Sequence, residues 1–480
     1  MRREQTDEKT TARPLVDTGG GHAQFQAGAC RWLRALLLLS ALLVVGCDTS
    51  SSGDSEPAAS DVLLTDEDVL DDTPSSGDSE PAVSDGAYTV AATLPTDYIR
   101  GFDVSAVDYW DYDYALTHND AAWYDTDGVS KDFFAILAAH GVNTARIRVW
   151  VDPSKDNTSA IITDSYWPAS TDVPDAWKAG DNTTARAVRM ALRAKAAGLS
   201  VMLDFHYSDY WTDPGKQVIP RAWQDIKDSD AMAEQLASYT TEVLTALKDA
   251  GVTPEYVQIG NEIDSGILLH TKYNGKATSA SSAVAGTRGS AHFKKYLAAG
   301  CKAVRVFDSG IKIIMHVTNR KAVDFMKDVN GATTDYDIIG LSYYPWEASH
   351  GTLSSLTANI ALLKKTYDKP VIVAEISAQF DYEVNKPNAE LAQSAAHMVD
   401  GTGNIYSDLT TETVNGTVQM QGTVQNQANI FRHVIEESVR VGASGIVAWG
   451  GERRGDWKYA FFNWEGKAFD SIDIFNVRGR

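Results

Sequence analysis

From Tyr98 onward the chain alternates between two hydrophobic rhythms. Short runs rich in β-branched residues read as strands: Ile99–Val104, Ala145–Trp150, Ser200–His206, Tyr256–Gly260, Lys312–His316, Asp337–Ser342, Pro370–Glu375 and Gly445–Trp449. Between most of them apolar residues recur at helical spacing, as in Ala185–Ala197 and Asp230–Ala250. Strand–helix alternation points to a parallel sheet covered by helices. Eight such units predict an α/β fold, a single (β/α)8 (TIM) barrel with long loops, over residues 92–480. A doubly wound open sheet is the alternative. It lacks its expected mark, because no Gly-x-Gly-x-x-Gly turn follows the first strand.

Ahead of the barrel the pattern changes twice. Arg31 and Arg34 precede an apolar run, Ala35–Val45, that ends Val44-Val45-Gly46-Cys47. A basic flank, a short apolar stretch and a small residue describe a secretory signal, and the run is too short to span a bilayer. Residues 1–46 are therefore read as a signal region. Its end resembles a bacterial lipobox, which implies a lipid on Cys47; a plain secretory signal is the alternative. Residues 47–91 form an acidic segment with no Lys or Arg from Asp48 to Gly86, in which Ser51–Asp61 recurs almost unchanged as Ser75–Asp85. Such a stretch buries little and repels itself, so it should be an extended, solvated tether. The expectation is a secreted bacterial cell-envelope lipoprotein, on the periplasmic or extracellular face, held to the membrane through Cys47. With Cys30 ahead of the cut and Cys47 lipidated, Cys301 remains alone, and neither a structural disulfide nor a cysteine metal cluster is expected.

Composition narrows the partner. Acidic residues outnumber basic ones 64 to 43, a net charge of −21, which leaves no basic face for phosphates and excludes nucleic acid. Twelve Trp and twenty Tyr suit either a sugar, whose C–H faces stack on flat rings, or a large core. No His-Glu-x-x-His supports a zinc hydrolase, and no Gly-x-Ser-x-Gly elbow supports a serine hydrolase.

In a (β/α)8 barrel the active site lies where the strands end at their C-termini. Asp103 ends the first strand, and Arg146, Arg148 and Trp150 end or follow the second. Asp204, His206 and Asp209 close the third, and Asn261 and Glu262 follow the fourth. His316 and Asn319 follow the fifth, Tyr343 and Tyr344 the sixth, Glu375 ends the seventh and Trp449 the eighth. Two glutamates at the ends of apolar strands suit glycoside hydrolysis, which needs two carboxyls flanking the bond. A separation of about 5–5.5 Å gives retention and a wider one inversion. Asn261 is placed to hold a sugar 2-hydroxyl, Arg146 or Arg148 to keep the nucleophile ionised, and Tyr343 to donate a hydrogen bond to it.

These residues sit in stretches that resemble glycoside hydrolase family 53, the endo-β-1,4-galactanases. The most specific is Leu203-Asp-Phe-His-Tyr-Ser-Asp-Tyr-Trp-Thr-Asp-Pro-Gly-Lys-Gln217, leading to Pro220-Arg-Ala-Trp223. Others are Gly101-Phe-Asp-Val-Ser105, Arg146-Ile-Arg-Val-Trp-Val-Asp-Pro153, Gln258-Ile-Gly-Asn-Glu-Ile263 and Asp337-Ile-Ile-Gly-Leu-Ser-Tyr-Tyr-Pro345. The resemblance implies a retaining endo-hydrolase of β-1,4-galactan, with Glu262 as acid/base and Glu375 as nucleophile. It implies that Asp103, His206, Asp209, Trp211, His316 and Trp449 shape the subsites.

The sequence departs from the family in three places. Asn157–Asp181 is longer than usual, and Ser377–Gln427 is long, polar and poor in apolar periodicity. After Trp449 stands Gly-Gly-Glu-Arg-Arg-Gly-Asp-Trp, where the family tends to Trp-x-Pro-x-Trp. That loop bears on specificity. The rival readings are therefore a related β-glycanase acting on mannan, xylan or glucan, and a non-catalytic glycan-binding lipoprotein. Some bacterial members bind calcium near this loop. Glu452 and Asp456 are the candidate ligands for such a calcium, a weak case because two carboxylates come without a spaced set of oxygens, and no metal or cofactor is expected to be required. A monomer is expected.

Overall fold

The computed structural model describes residue 90 and residues 93–114, 122–153, 182–273, 276–380, 386–455 and 457–476. The signal region, Cys47, nearly all of the tether, all of Asn157–Asp181 and Asp456 lie outside them. Eight strands close into a barrel: β1 (Ile99–Asp103), β2 (Thr144–Val149), β3 (Ser200–Phe205), β4 (Tyr256–Ile259), β5 (Lys312–Thr318), β6 (Ile338–Ser342), β7 (Val371–Ile376) and β8 (Gly445–Ala448). Every neighbouring pair is parallel, and β1 pairs with both β2 and β8. Each strand lies within two residues of its sequence-based bounds at either end.

Helices cover the outside: α1 (Phe133–Ala139), α2 (Thr184–Ala196), α3 (Ser229–Asp249), α4 (Ala291–Phe307), α5 (Ala322–Asn330), α6 (Leu353–Tyr367), α7 (Ala389–His397) and α8 (Val424–Arg440). Short polar side chains start most of them. Asp132, Thr183, Asp228, Ser290, Thr352, Asn388 and Thr423 each accept from a backbone N–H of the first turn that would otherwise lack a partner. Among the described residues no helix is long and apolar enough to cross a membrane.

Alternation along the strands builds two layers inside the barrel. Ile99, Met202, Ile314, Ile338, Ile372, Ala374 and Val447 pack together as an apolar floor. Two or four residues further along the same faces stand Asp103, Asp204, His316 and Ser342, since side chains of one face recur every second residue. The inward stripe thus turns from apolar to polar toward the strand C-termini, and that is where the site forms.

β7 breaks this alternation. Leu341 pairs with Val373, but Ser342 pairs with Glu375, so Ala374 is one extra residue against β6. Such a bulge re-aims the side chain that follows it. Ile372 and Ala374 face the floor, and Glu375 also faces inward, joined to Arg146 and Tyr344.

The long polar stretch after Glu375 holds, among its described residues, α7, an antiparallel hairpin (Thr411–Val414 with Thr417–Met420) and the start of α8. The hairpin turns at Asn415-Gly416, with φ of 51° and 81°, the left-handed pair that a tight turn demands. Cys301 is a free thiol buried in α4.

Candidate active site

Arg146 stands at the centre of the mouth, wholly buried. Its guanidinium meets Asp103 at 2.9 Å, Asp204 at 2.9 Å and Glu375 at 2.8 Å, and donates to Asn261 Oδ1 at 3.0 Å. Arginine suits this place because its planar fork serves several oxygens and stays charged when buried. Burial alone would lift Asp103 and Asp204. For Asp103 the Arg148 and Arg146 guanidinia together outweigh it, for Asp204 Arg146 and His206 together do, and both carboxyls are held below the usual range.

The fourth strand delivers Glu262 by a sharp turn. Gly260 takes φ of 85°, and a Cβ there would lie 2.6 Å from Ile263. Glu262 itself sits at φ of 43°, an uncommon conformation for a side chain with a Cβ, which swings its carboxyl over the mouth. One carboxylate oxygen of Glu262, one of Glu375 and one ring nitrogen of His316 all lie within 4.8 Å of one another.

The two glutamates differ in their neighbours. Burial and the Glu375 charge push Glu262 well above the carboxylate range. Burial also raises Glu375, but Arg146 and a 2.5 Å hydrogen bond donated by Tyr344 pull it back. The shared proton therefore belongs on Glu262. His316 is neutral, because burial and then Arg146 hold its pKa well below the ordinary value. Gln258 donates to its Nδ1 at 2.8 Å, so its Nε2–H donates to Ser342 Oγ at 2.8 Å. His316 supports the site from beneath and is fully buried.

Other expected residues fall into distinct places. Asn261 donates to the Thr212 carbonyl at 2.7 Å and accepts from Arg146, which fixes it beside Glu262. His206 bonds Asp204 at 3.1 Å and accepts from the Thr212 N–H at 2.9 Å, anchoring the loop that bears Trp211. Trp211 and Trp449 are half-buried and meet edge to face, with centroids 5.3 Å apart. Arg148 stacks over Trp211 at 4.7 Å. These rings border the mouth as a sugar-binding wall would.

Two expectations move. Asp209 does not face the mouth: its oxygens accept the backbone N–H groups of Asp152 and Arg221, tying two loops, and burial lifts its pKa to about 6. Tyr343 does not reach the nucleophile. It packs into the outer core, with no hydrogen-bond partner for its hydroxyl among the described residues, and Tyr344 makes the bond to Glu375 instead. β6 ends at Ser342, so its alternation no longer dictates which tyrosine turns in.

Sequence reasoning passed over Gln258 and Ser342, although period two along β4 and β6 places both inward. It also passed over Trp346, Trp457 and Tyr459, which extend the aromatic wall from Trp449. Glu452 is buried 3.7 Å from the Arg148 guanidinium, and burial together with the Asp103 charge lifts it to about 7.

A closed (β/α)8 barrel with two close glutamates, one in the turn after β4 and one on β7, the first favouring its proton and the second paired with arginine, defines a retaining glycoside hydrolase. Comparison with known proteins names the family. Residues 99–480 match the model of Glycosyl hydrolase family 53, and the chain belongs to that family. The endo-β-1,4-galactanase of Bacillus subtilis (strain 168) is 30% identical over 354 residues, 73% of this chain and 68% of that protein. An arabinogalactan endo-β-1,4-galactanase of Cellvibrio japonicus (strain Ueda107) is 33% identical over 260 residues, 53% of this chain and 60% of its own length. Among solved structures, the family 53 catalytic domain from Ignisphaera aggregans aligns at a TM-score of 0.61 and 26% identity. It covers 82% of this chain and 99% of its own.

Proposed function

We propose that the chain is a retaining endo-β-1,4-galactanase in which Glu375 is the nucleophile and Glu262 the acid/base. The observation that carries this is the pair of carboxylate oxygens within 4.8 Å, with the proton held on Glu262. Glu375, ionised beside Arg146, attacks the anomeric carbon while Glu262 protonates the departing glycosidic oxygen, which forms a glycosyl-enzyme ester. Glu262, now a carboxylate, takes a proton from water. The water attacks the same carbon from the opposite side and returns Glu375, with net retention. Asn261, locked by Arg146 and Thr212, faces the sugar 2-hydroxyl. Galactan as the substrate rests on the relatives that carry that name and on family membership.

The test compares initial rates on purified galactan, mannan, xylan and carboxymethylcellulose for the parent protein, Glu375→Gln and Glu262→Gln. Each variant is expected to lose on the order of a thousandfold or more on galactan. Proton NMR of the first product should show the β-anomer before mutarotation. Full turnover by Glu375→Gln, or an initial α-anomer, overturns the reading.

We further propose export and tethering through a lipid on Cys47, supported by the basic flank, the apolar run ending Gly46-Cys47 and the acidic repeat. Metabolic labelling with tritiated palmitate should mark the parent and not Cys47→Ala, and labelling of neither sinks the anchor.

A further inference from the structure

Tyr344, whose phenol donates to Glu375, belongs to a stack of rings. One face meets His350 at 5.5 Å between centroids, and Trp346 stacks on it at 4.9 Å. Trp346 stacks in turn on Tyr459, at 5.2 Å and 16° between planes. At the far end the Tyr459 hydroxyl donates to Glu390 at 2.8 Å, and Lys458 donates to the same oxygen at 2.5 Å, joined there by Gln379. Glu390 lies in the first turn of α7, where Asn388 caps its N–H. The other end of α7 reaches back to the same stack: His397 Nδ1 donates to the Pro345 carbonyl at 2.9 Å, between Tyr344 and Trp346. The inserted helix therefore brackets the segment that carries the phenol.

We infer that Glu390 is a positioning residue for the nucleophile, holding the Tyr344 phenol against Glu375 through the Tyr459–Trp346–Tyr344 stack. The inference rests on the reading of Glu375 as nucleophile. A hydrogen bond weakens steeply when its length or angle drifts, so a stack free to slide delivers a poorer bond. The groups facing Glu375 are Asp103 on β1, Arg146 on β2, Asp204 on β3, Glu262 after β4, His316 on β5, and Ser342 and Tyr344 at the end of β6. None of them lies on α7 or in the loop after β8, so Glu390 touches none of these groups directly, and the double variant below separates a route through Tyr344 from one through Gln379. Because the phenol stabilises the ionised carboxylate, loosening it raises the Glu375 pKa, and the acid limb of kcat/KM moves to higher pH.

The experiment measures pH profiles on galactan for Glu390→Ala, Glu390→Gln, Tyr459→Phe, Tyr344→Phe and the Glu390→Ala/Tyr344→Phe double variant, with melting temperatures alongside. Glu390→Ala should shift the acid limb upward by roughly half a pH unit and lower kcat on the order of tenfold, with KM little changed. Tyr459→Phe should move both the same way, and it carries the test if Glu390→Ala does not fold. Glu390→Gln keeps an acceptor for Tyr459 and should restore parental behaviour. In the Tyr344→Phe background, Glu390→Ala should add no further shift. An unmoved acid limb in Glu390→Ala or Tyr459→Phe overturns the inference, as does an undiminished shift in the double variant. If Glu375→Gln is inactive in the same assay, only this inference has failed; if it is active, the nucleophile assignment has failed.

Discussion

Glu262 and Glu375 are one residue type in one buried mouth, and only their neighbours separate their roles. Arg146 and Tyr344 favour charge on Glu375, while Glu262 faces burial and a like charge. Activity requires Glu375 ionised and Glu262 protonated, so kcat/KM on galactan should be bell-shaped. Its alkaline limb, set by Glu262, should fall above the ordinary Glu value of about 4.3. Initial rates measured from about pH 4 to 9 check this, and a decline beginning within the ordinary carboxylate range contradicts it. At this scale the sequence was generous where a strand positioned the residue, as for Glu375, Arg146 and Asp103, and Glu262 was legible from the Gly260-Asn261-Glu262 turn that follows β4. It failed one residue past a strand, where Tyr343 and Tyr344 compete and only packing chooses. It also failed at Asp209, whose carboxyl serves backbone rather than sugar.

At the scale of elements, β4 depends on the helix behind it. Gly300 in α4 lies so near β4 that a Cβ would stand 2.9 Å from Ile259 Cγ2 and 3.3 Å from Leu236. Gly300→Ala gains about 1 kcal/mol of helix propensity. Overpacking a tight core costs about 1–3 kcal/mol, and a branched strand residue cannot move aside cheaply. The variant should melt below the parent in thermal scans, and a higher melting temperature would show that β4 yields. The barrel strands were legible because each is a β-branched run bounded by turn residues. The insertion after β7 was not, because α7 has nine residues and buries few apolar side chains. Two local signals were nevertheless present: the Asn388 cap and the Asn415-Gly416 turn. The bulge at Ala374 left no such mark, since one extra residue looks like any other until its strand partner is known.

Across the whole molecule, His140 fastens distant parts of the chain. Its Nδ1 lies 2.6 Å from Asp473 and its Nε2 2.6 Å from Asp125, so both nitrogens carry hydrogens and the ring is charged. Burial opposes that charge, but the two carboxylates outweigh it and the His140 pKa is raised. A raised folded-state pKa gives stability that is complete below the unfolded value of about 6.5 and is lost as pH rises through the folded one. Melting temperature should therefore fall as pH rises above about 6.5, and His140→Gln should flatten that fall; an equally steep slope in the variant removes His140 as its source. Barrel architecture at this scale followed from the count of strand–helix units. The acidic tether and lipid anchor remain readings of sequence pattern. Three acids sharing one guanidinium have a practical consequence. Neutralising Glu375 takes away a surplus negative charge and still leaves Arg146 two carboxylate partners, Asp103 and Asp204. The silenced Glu375→Gln form should thus melt no lower than its parent and serve as a decoy that captures an intact oligosaccharide for crystallography.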